Sequence, residues 1–149
     1  MGWLRGTYPR MSKVQTNKEI LIMVGFPGSG KTTWAEEQNG YIRIDGDSLK
    51  TPEKMIRVAA TYIASESCEK GIIFDSTGGT IERRMKFIQF AKNYNLPYRI
   101  VWVATPIENS MAQNRSRPIH KQVPGVAFYV YRKKFEEPSM VEGPFIIVD

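Results

Sequence analysis

Five short apolar runs punctuate the chain: Ile20 to Val24, Tyr41 to Ile44, Ile72 to Phe74, Tyr98 to Ala104 and Phe145 to Val148. They are continuous rather than alternating, as expected of strands covered on both faces, and helical spacing fills most of the intervals between them. This order predicts an α/β fold, a parallel β-sheet flanked by helices. Between Lys54 and Lys70, Met55, Ala59, Tyr62 and Ile63 recur at i, i+4, i+7 and i+8, so the spacing predicts an amphipathic helix with Gly71 as its C-cap. A second helix is predicted from Thr80 to Asn95, with Met85, Ile88 and Ala91 on its apolar side. Pro106 suits the first position of a third, running to Asn114, and a fourth spans Val126 to Phe135. Arg115 to Pro124, basic and broken by prolines, is expected to be a mobile surface segment.

Size and composition narrow the picture. With 149 residues the chain is most simply one domain, 19–149, preceded by a loose leader over 1–18 in which Met11 is a candidate start. Apolar content of 42% with 24% charged residues is that of a soluble, intracellular protein, and no apolar run approaches the roughly 18 residues of a membrane span. A single cysteine, Cys68, excludes an internal disulfide and is expected to sit in a helix as a small core or boundary residue. A single histidine, His120, excludes a His-rich metal site. The net charge of +6 suits a polyanionic partner without requiring one.

The first apolar run leads into Gly25-Phe26-Pro27-Gly28-Ser29-Gly30-Lys31-Thr32 and then into the helical pattern of Thr33 to Glu37. This is the spacing G-x-x-x-x-G-K-S/T between a strand and a helix. Glycines there let successive backbone N–H groups turn inward as a nest for phosphate. Lys31 is placed to reach the β- and γ-phosphates of a nucleotide, and Thr32 to offer its hydroxyl to Mg²⁺. ATP, or another nucleoside triphosphate, is the expected donor.

The acceptor must be read elsewhere. Asp45-Gly46-Asp47-Ser48 ends the second strand, at the sheet edge where open α/β folds bind ligands. A carboxylate there is placed to act as a base, or Asp47 simply caps the next turn; the segment alone leaves both open. Asp75 ends the third strand in a Walker-B position, and Thr77 could donate to a substrate phosphate. Arg115 and Arg117 follow the fourth strand and its helix, where small P-loop kinases carry a lid; a guanidinium can clamp phosphate oxygens bidentately.

Together these segments resemble the 5′-kinase domain of polynucleotide kinase, from about Ile20 to the end of the chain. The loop Gly25 to Thr33 matches the family's G-F/C-P-G-A/S-G-K-S-T with Thr32 for Ser. Gly40 to Leu49 resembles G-Y-x-x-V/I-N-R-D-T/D-L/Y, which places the family's catalytic base on Asp47. The most specific likeness is Val123-Pro124, then Tyr131-Arg132-Lys133-Lys134-Phe135-Glu136-Glu137-Pro138 and Glu142-Gly143. The resemblance implies a P-loop kinase fold with a lid, transferring the γ-phosphate of ATP to the 5′-hydroxyl of DNA or RNA. It puts the lid arginines on Arg115 and Arg117, closing over the γ-phosphate, and it suggests Asp75, Thr77, Lys50 and Arg84 as acceptor contacts. Asp45-Gly46 replaces the family's Asn-Arg, and Ser76-Gly78-Gly79 departs from its D-N-T-N-P. No D-x-D-G-T/V segment occurs in the sequence, so no 3′-phosphatase activity is expected of it. A small-metabolite kinase and a non-catalytic nucleotide-binding module are the alternatives.

Overall fold

The computed structural model describes residues 17–148. The leader expected over 1–18 lies outside the described residues but for its last two. Of these, Lys18 is buried and donates from Nζ to the Ile63 carbonyl at 2.6 Å.

All five apolar runs are strands: β1 Glu19–Val24, β2 Tyr41–Asp45, β3 Gly71–Asp75, β4 Tyr98–Val103 and β5 Phe145–Val148. They form one parallel sheet in the order β2-β3-β1-β4-β5. The chain steps from β1 past β3 to β2, then from β3 across β1 to β4. The strand order therefore reverses around β1, and the C-terminal ends of β2 and β3 and the loop after β1 line the crevice at the sheet edge where such folds bind ligands.

The central strands β1 and β3 are covered on both faces, which is why they read as continuous apolar runs, whereas edge strand β5 leaves Ile146 and Ile147 exposed. Ile20, Ile22 and Val24 of β1 pack on one side with Ile72 and Phe74 of β3, Met55 and Ala59 of α3 (Pro52–Tyr62), and Phe87 and Phe90 of α4 (Ile81–Asn93). Leu21 and Met23 face the other way, onto Ala35 of α1 (Lys31–Glu36) with Ile73 and Val101. A short helix, α2 (Gly46–Leu49), joins β2 to α3. After β4 come α5 (Ile107–Arg115), a 3₁₀ turn at Ile119–Lys121 and α6 (Gly125–Lys134).

Four local expectations are corrected. The helix predicted to run to Lys70 stops at Tyr62, because Glu66 and Ser67, one turn beyond Ile63, are polar and Lys18 takes the Ile63 carbonyl. Cys68 is buried but lies in the connection rather than in a helix. Gly71 opens β3 instead of capping α3: at φ 142°, a Cβ would collide with the Glu19 carbonyl of the paired strand. Pro106 is the N-cap of α5, one residue before the position expected.

Candidate active site

The loop between β1 and α1 is seated by what its glycines lack. Gly28 and Gly30 have φ of 74° and 101°, and a Cβ on Gly28 would stand 2.7 Å from the Ser110 carbonyl of α5. Phe26 anchors the loop from behind, its ring 4.9 Å from that of Tyr131 and 6.3 Å from that of Phe128, both on α6. The Tyr131 hydroxyl donates to the Thr77 carbonyl at 2.7 Å, and Thr77 also accepts from the Gly25 N–H at 3.0 Å. The C-terminal stretch so specific in sequence thus acts as a buttress under the phosphate loop. Lys31 is buried, and its Nζ donates to the carbonyls of Phe26 at 2.8 Å and Gly25 at 3.1 Å. Burial pushes its ammonium down to about 8, Arg117 adding to the fall and Asp75 and Asp47 opposing it.

A cleft of about 840 Å³ opens above this loop. It brings Pro27, Gly28, Gly30, Lys31, Thr32 and Thr33 together with Asp47, Lys50, Asp75, Thr77 and Arg117. Strands β2 and β3 end in step, Asp45 beside Asp75, so both carboxylates reach its floor. The Thr32 hydroxyl donates to Asp75 Oδ2 at 2.9 Å, and Asp75 is nearly buried.

The acidic pair divides its labour. Asp45 is the N-cap of α2, accepting from the Asp47 N–H at 3.0 Å and the Ser48 hydroxyl at 2.7 Å. Burial works against its charge, but the Ser48 and Asp47 hydrogen bonds and the Arg43 charge outweigh it and hold the carboxyl below its usual range. Capping is therefore done by Asp45, and the Asp47 carboxylate is left exposed in the cleft. It faces Arg117 at 3.6 Å.

The two lid arginines separate as well. Arg117 lines the main cleft, whereas Arg115 faces a smaller cavity, about 390 Å³, beside Phe128. The lid base, expected to be loose, is pinned: Asn114 exchanges two hydrogen bonds with the Val123 backbone, at 2.8 and 2.9 Å, and Gln122 Nε2 donates to the carbonyls of Arg115 and Arg117. Lys50 is exposed on the cleft rim at φ 74°, a strained value for a residue with a Cβ.

Arg84 is a correction. It is fully buried, pairs bidentately with Glu142 at 2.7 and 3.1 Å and donates to the Gly78 carbonyl at 2.7 Å. No donor faces the cleft, so it ties α4 to the C-terminal segment and has no acceptor to hold. Sequence reasoning missed Arg43, whose Nε meets Asp75 Oδ2 at 2.7 Å and whose Nη2 reaches Thr32 Oγ1 at 3.3 Å and Asp45 Oδ1 at 3.4 Å. Its spacing was a readable signal: two residues before Asp45 on a strand, it shares that residue's face.

Residues 20–138 match the family model described as AAA domain. The chain belongs to that family. Its fold is that of P-loop kinases. It is 36% identical, over 92% of its length, to a bifunctional polynucleotide phosphatase/kinase of Schizosaccharomyces pombe, and 30% identical, over 85%, to a putative one of Acanthamoeba polyphaga mimivirus. It covers 34% and 31% of those proteins, so it spans about a third of the curated relatives it matches. Among solved structures, Chaetomium thermophilum Kti12 in complex with ADP-AlF3 superposes with a TM-score of 0.64 at 18% identity, covering 87% of this chain and 88% of that one. That likeness is one of fold. Among the described residues no helix is long and apolar enough to cross a membrane.

Proposed function

We propose that this P-loop kinase domain transfers the γ-phosphate of ATP to the 5′-hydroxyl of DNA or RNA. The observation that carries the reading is the pair Asp47 and Arg117, an exposed carboxylate and a guanidinium that meet at 3.6 Å in the cleft that Lys31 also lines. In this reading the loop N–H groups and Lys31 hold the β- and γ-phosphates, and Arg117 neutralises charge on the γ-phosphoryl group as it transfers. Asp47 accepts the proton of the 5′-hydroxyl as its oxygen bonds to the γ-phosphorus and the bond to the β–γ bridging oxygen breaks, releasing ADP. Arg115, which lines the smaller cavity instead of the main cleft, is left out of the catalytic set in this reading. Lys50 holds a phosphate of the acceptor strand, and Thr77 and Asp75 line its terminal nucleoside. The Thr32 hydroxyl and the Asp75 carboxylate are hard oxygen donors 2.9 Å apart, a donor set that fits Mg²⁺. A divalent cation held there would neutralise phosphate charge.

The acceptor is tested by ADP release. A 5′-hydroxyl oligonucleotide should stimulate it, and the same strand carrying a 5′-phosphate should not; stimulation by free sugars or nucleosides alone would favour a metabolite kinase. With single strands each phosphate contact contributes about −0.7 to the slope of log affinity against log salt, so Lys50→Ala should flatten that slope by about 0.7. An unchanged slope would remove Lys50 from the acceptor path.

Nucleotide binding should also depend on pH through Lys31. Its amine is depressed to about 8 by burial, and a phosphate anion beside it restores the charged form. Below that pH the charge is already present; above it, binding must take up a proton. The ADP dissociation constant should therefore rise about tenfold between about pH 7 and pH 9, and calorimetry should show the proton uptake at the upper end. A constant affinity across that interval would mean that Lys31 stays off the phosphates.

A further inference from the structure

The Arg43 side chain stands in an unusual place for a cation. Its guanidinium contacts Asp75 Oδ2 at 2.7 Å and Thr32 Oγ1 at 3.3 Å, the same two oxygens that form the hard donor pair of the cleft. The hydroxyl that would face a divalent cation already carries the guanidinium's hydrogen bond, and two positive charges on one oxygen repel. Arg43 also has somewhere to go. Its Nη2 lies 3.4 Å from Asp45 Oδ1, and the Asp45 side chain is 36% exposed where that of Asp75 is 4% exposed. Moving toward Asp45 keeps the charge paired, brings it closer to water and releases the buried carboxylate of Asp75.

We propose that Arg43 is a resident cation of this site: it competes with the divalent metal for Thr32 and Asp75, and passes to Asp45 when the metal binds. The metal requirement of the protein is then set partly by an arginine of its own edge strand. Arg43 acts through Thr32 and Asp75 and is a positioning residue. This inference rests on the metal reading of Thr32 and Asp75 given above.

The test is the Mg²⁺ dependence of ADP binding, measured by calorimetry with no turnover involved. In the unaltered protein ADP affinity should rise with Mg²⁺ to a plateau. Arg43→Gln should lower the half-saturating Mg²⁺ concentration about fivefold, the size expected for losing one partly solvated competing charge. Asp45→Asn keeps a good N-cap for α2 but removes the carboxylate that receives Arg43, so it should raise that concentration. Thermal melting adds a second readout: Arg43→Gln should melt lower than the unaltered protein in EDTA, and Mg²⁺ with ADP should close the gap. An Arg43→Gln protein with an unchanged Mg²⁺ midpoint, destabilised equally with and without metal, would make Arg43 an ordinary ion-pair partner and overturn the proposal. Weaker ADP binding at saturating Mg²⁺ would overturn it too, by leaving Arg43 on the nucleotide. Should Arg43→Gln fail to fold, an unchanged midpoint in Asp45→Asn would suffice to reject it. ADP affinity independent of Mg²⁺ in the unaltered protein would instead sink the metal reading itself, and the competition with it.

Discussion

Asp47→Asn should lower kcat for phosphoryl transfer by about 10² or more while leaving ATP affinity nearly unchanged, since removal of a general base typically costs 10²–10⁴ in rate. The substitution is close to isosteric and the side chain is exposed, so stability should not move. Its neighbour supplies the control. Asp45 spends its oxygens on the Asp47 N–H and the Ser48 hydroxyl, and asparagine caps helices as well as aspartate does. Asp45→Asn should therefore keep most of the turnover at saturating Mg²⁺. Rapid-quench measurement of single turnovers separates chemistry from product release. A dead Asp45→Asn enzyme beside an active Asp47→Asn enzyme would transfer the base to Asp45.

Arg84→Met should destabilise the domain by about 3–5 kcal/mol, because it strands the Glu142 carboxylate in the interior without its partner. The cost comes from desolvation: a buried charge that loses its counter-charge must stay unpaired or take up a proton. Replacing both residues by apolar ones should cost less than the Arg84 change alone, since no charge then remains to be buried. Urea denaturation of the two single variants and the double variant measures the coupling. An Arg84→Met protein of normal stability with a raised KM for the oligonucleotide would return Arg84 to the acceptor site.

Arg84 shows what the sequence could not convey. Four residues into a helix after a tight turn, an arginine reads as solvated or as a phosphate contact, and its partner lies 58 residues away. The central strands were legible because coverage on both faces leaves uninterrupted apolar runs, and the phosphate loop because its glycines, lysine and hydroxyl are needed at fixed spacing. Helix ends were less so: the stop after Tyr62 depends on Lys18, which is remote in sequence, and Gly71 serves a parallel pairing with Glu19. Between Asp45 and Asp47 the residues alone gave no choice, because which carboxylate caps α2 is decided by backbone direction at the end of β2. The lid arginines were ambiguous for a similar reason. They lie two residues apart where α5 ends, and only the fold around Asn114 and Gln122 turns Arg117 inward.

The proposed transfer moves the γ-phosphate of ATP to a polynucleotide 5′ end in the cleft above Lys31. It is tested most directly by incubating the chain with γ-labelled ATP, Mg²⁺ and a 5′-hydroxyl oligonucleotide, then locating the label. Label should appear on the 5′-terminal phosphate, removable by a 5′-phosphatase, and should form about 10² times more slowly with Asp47→Asn. Label found only on a small metabolite, or ATP bound with no transfer to the oligonucleotide, would contradict it.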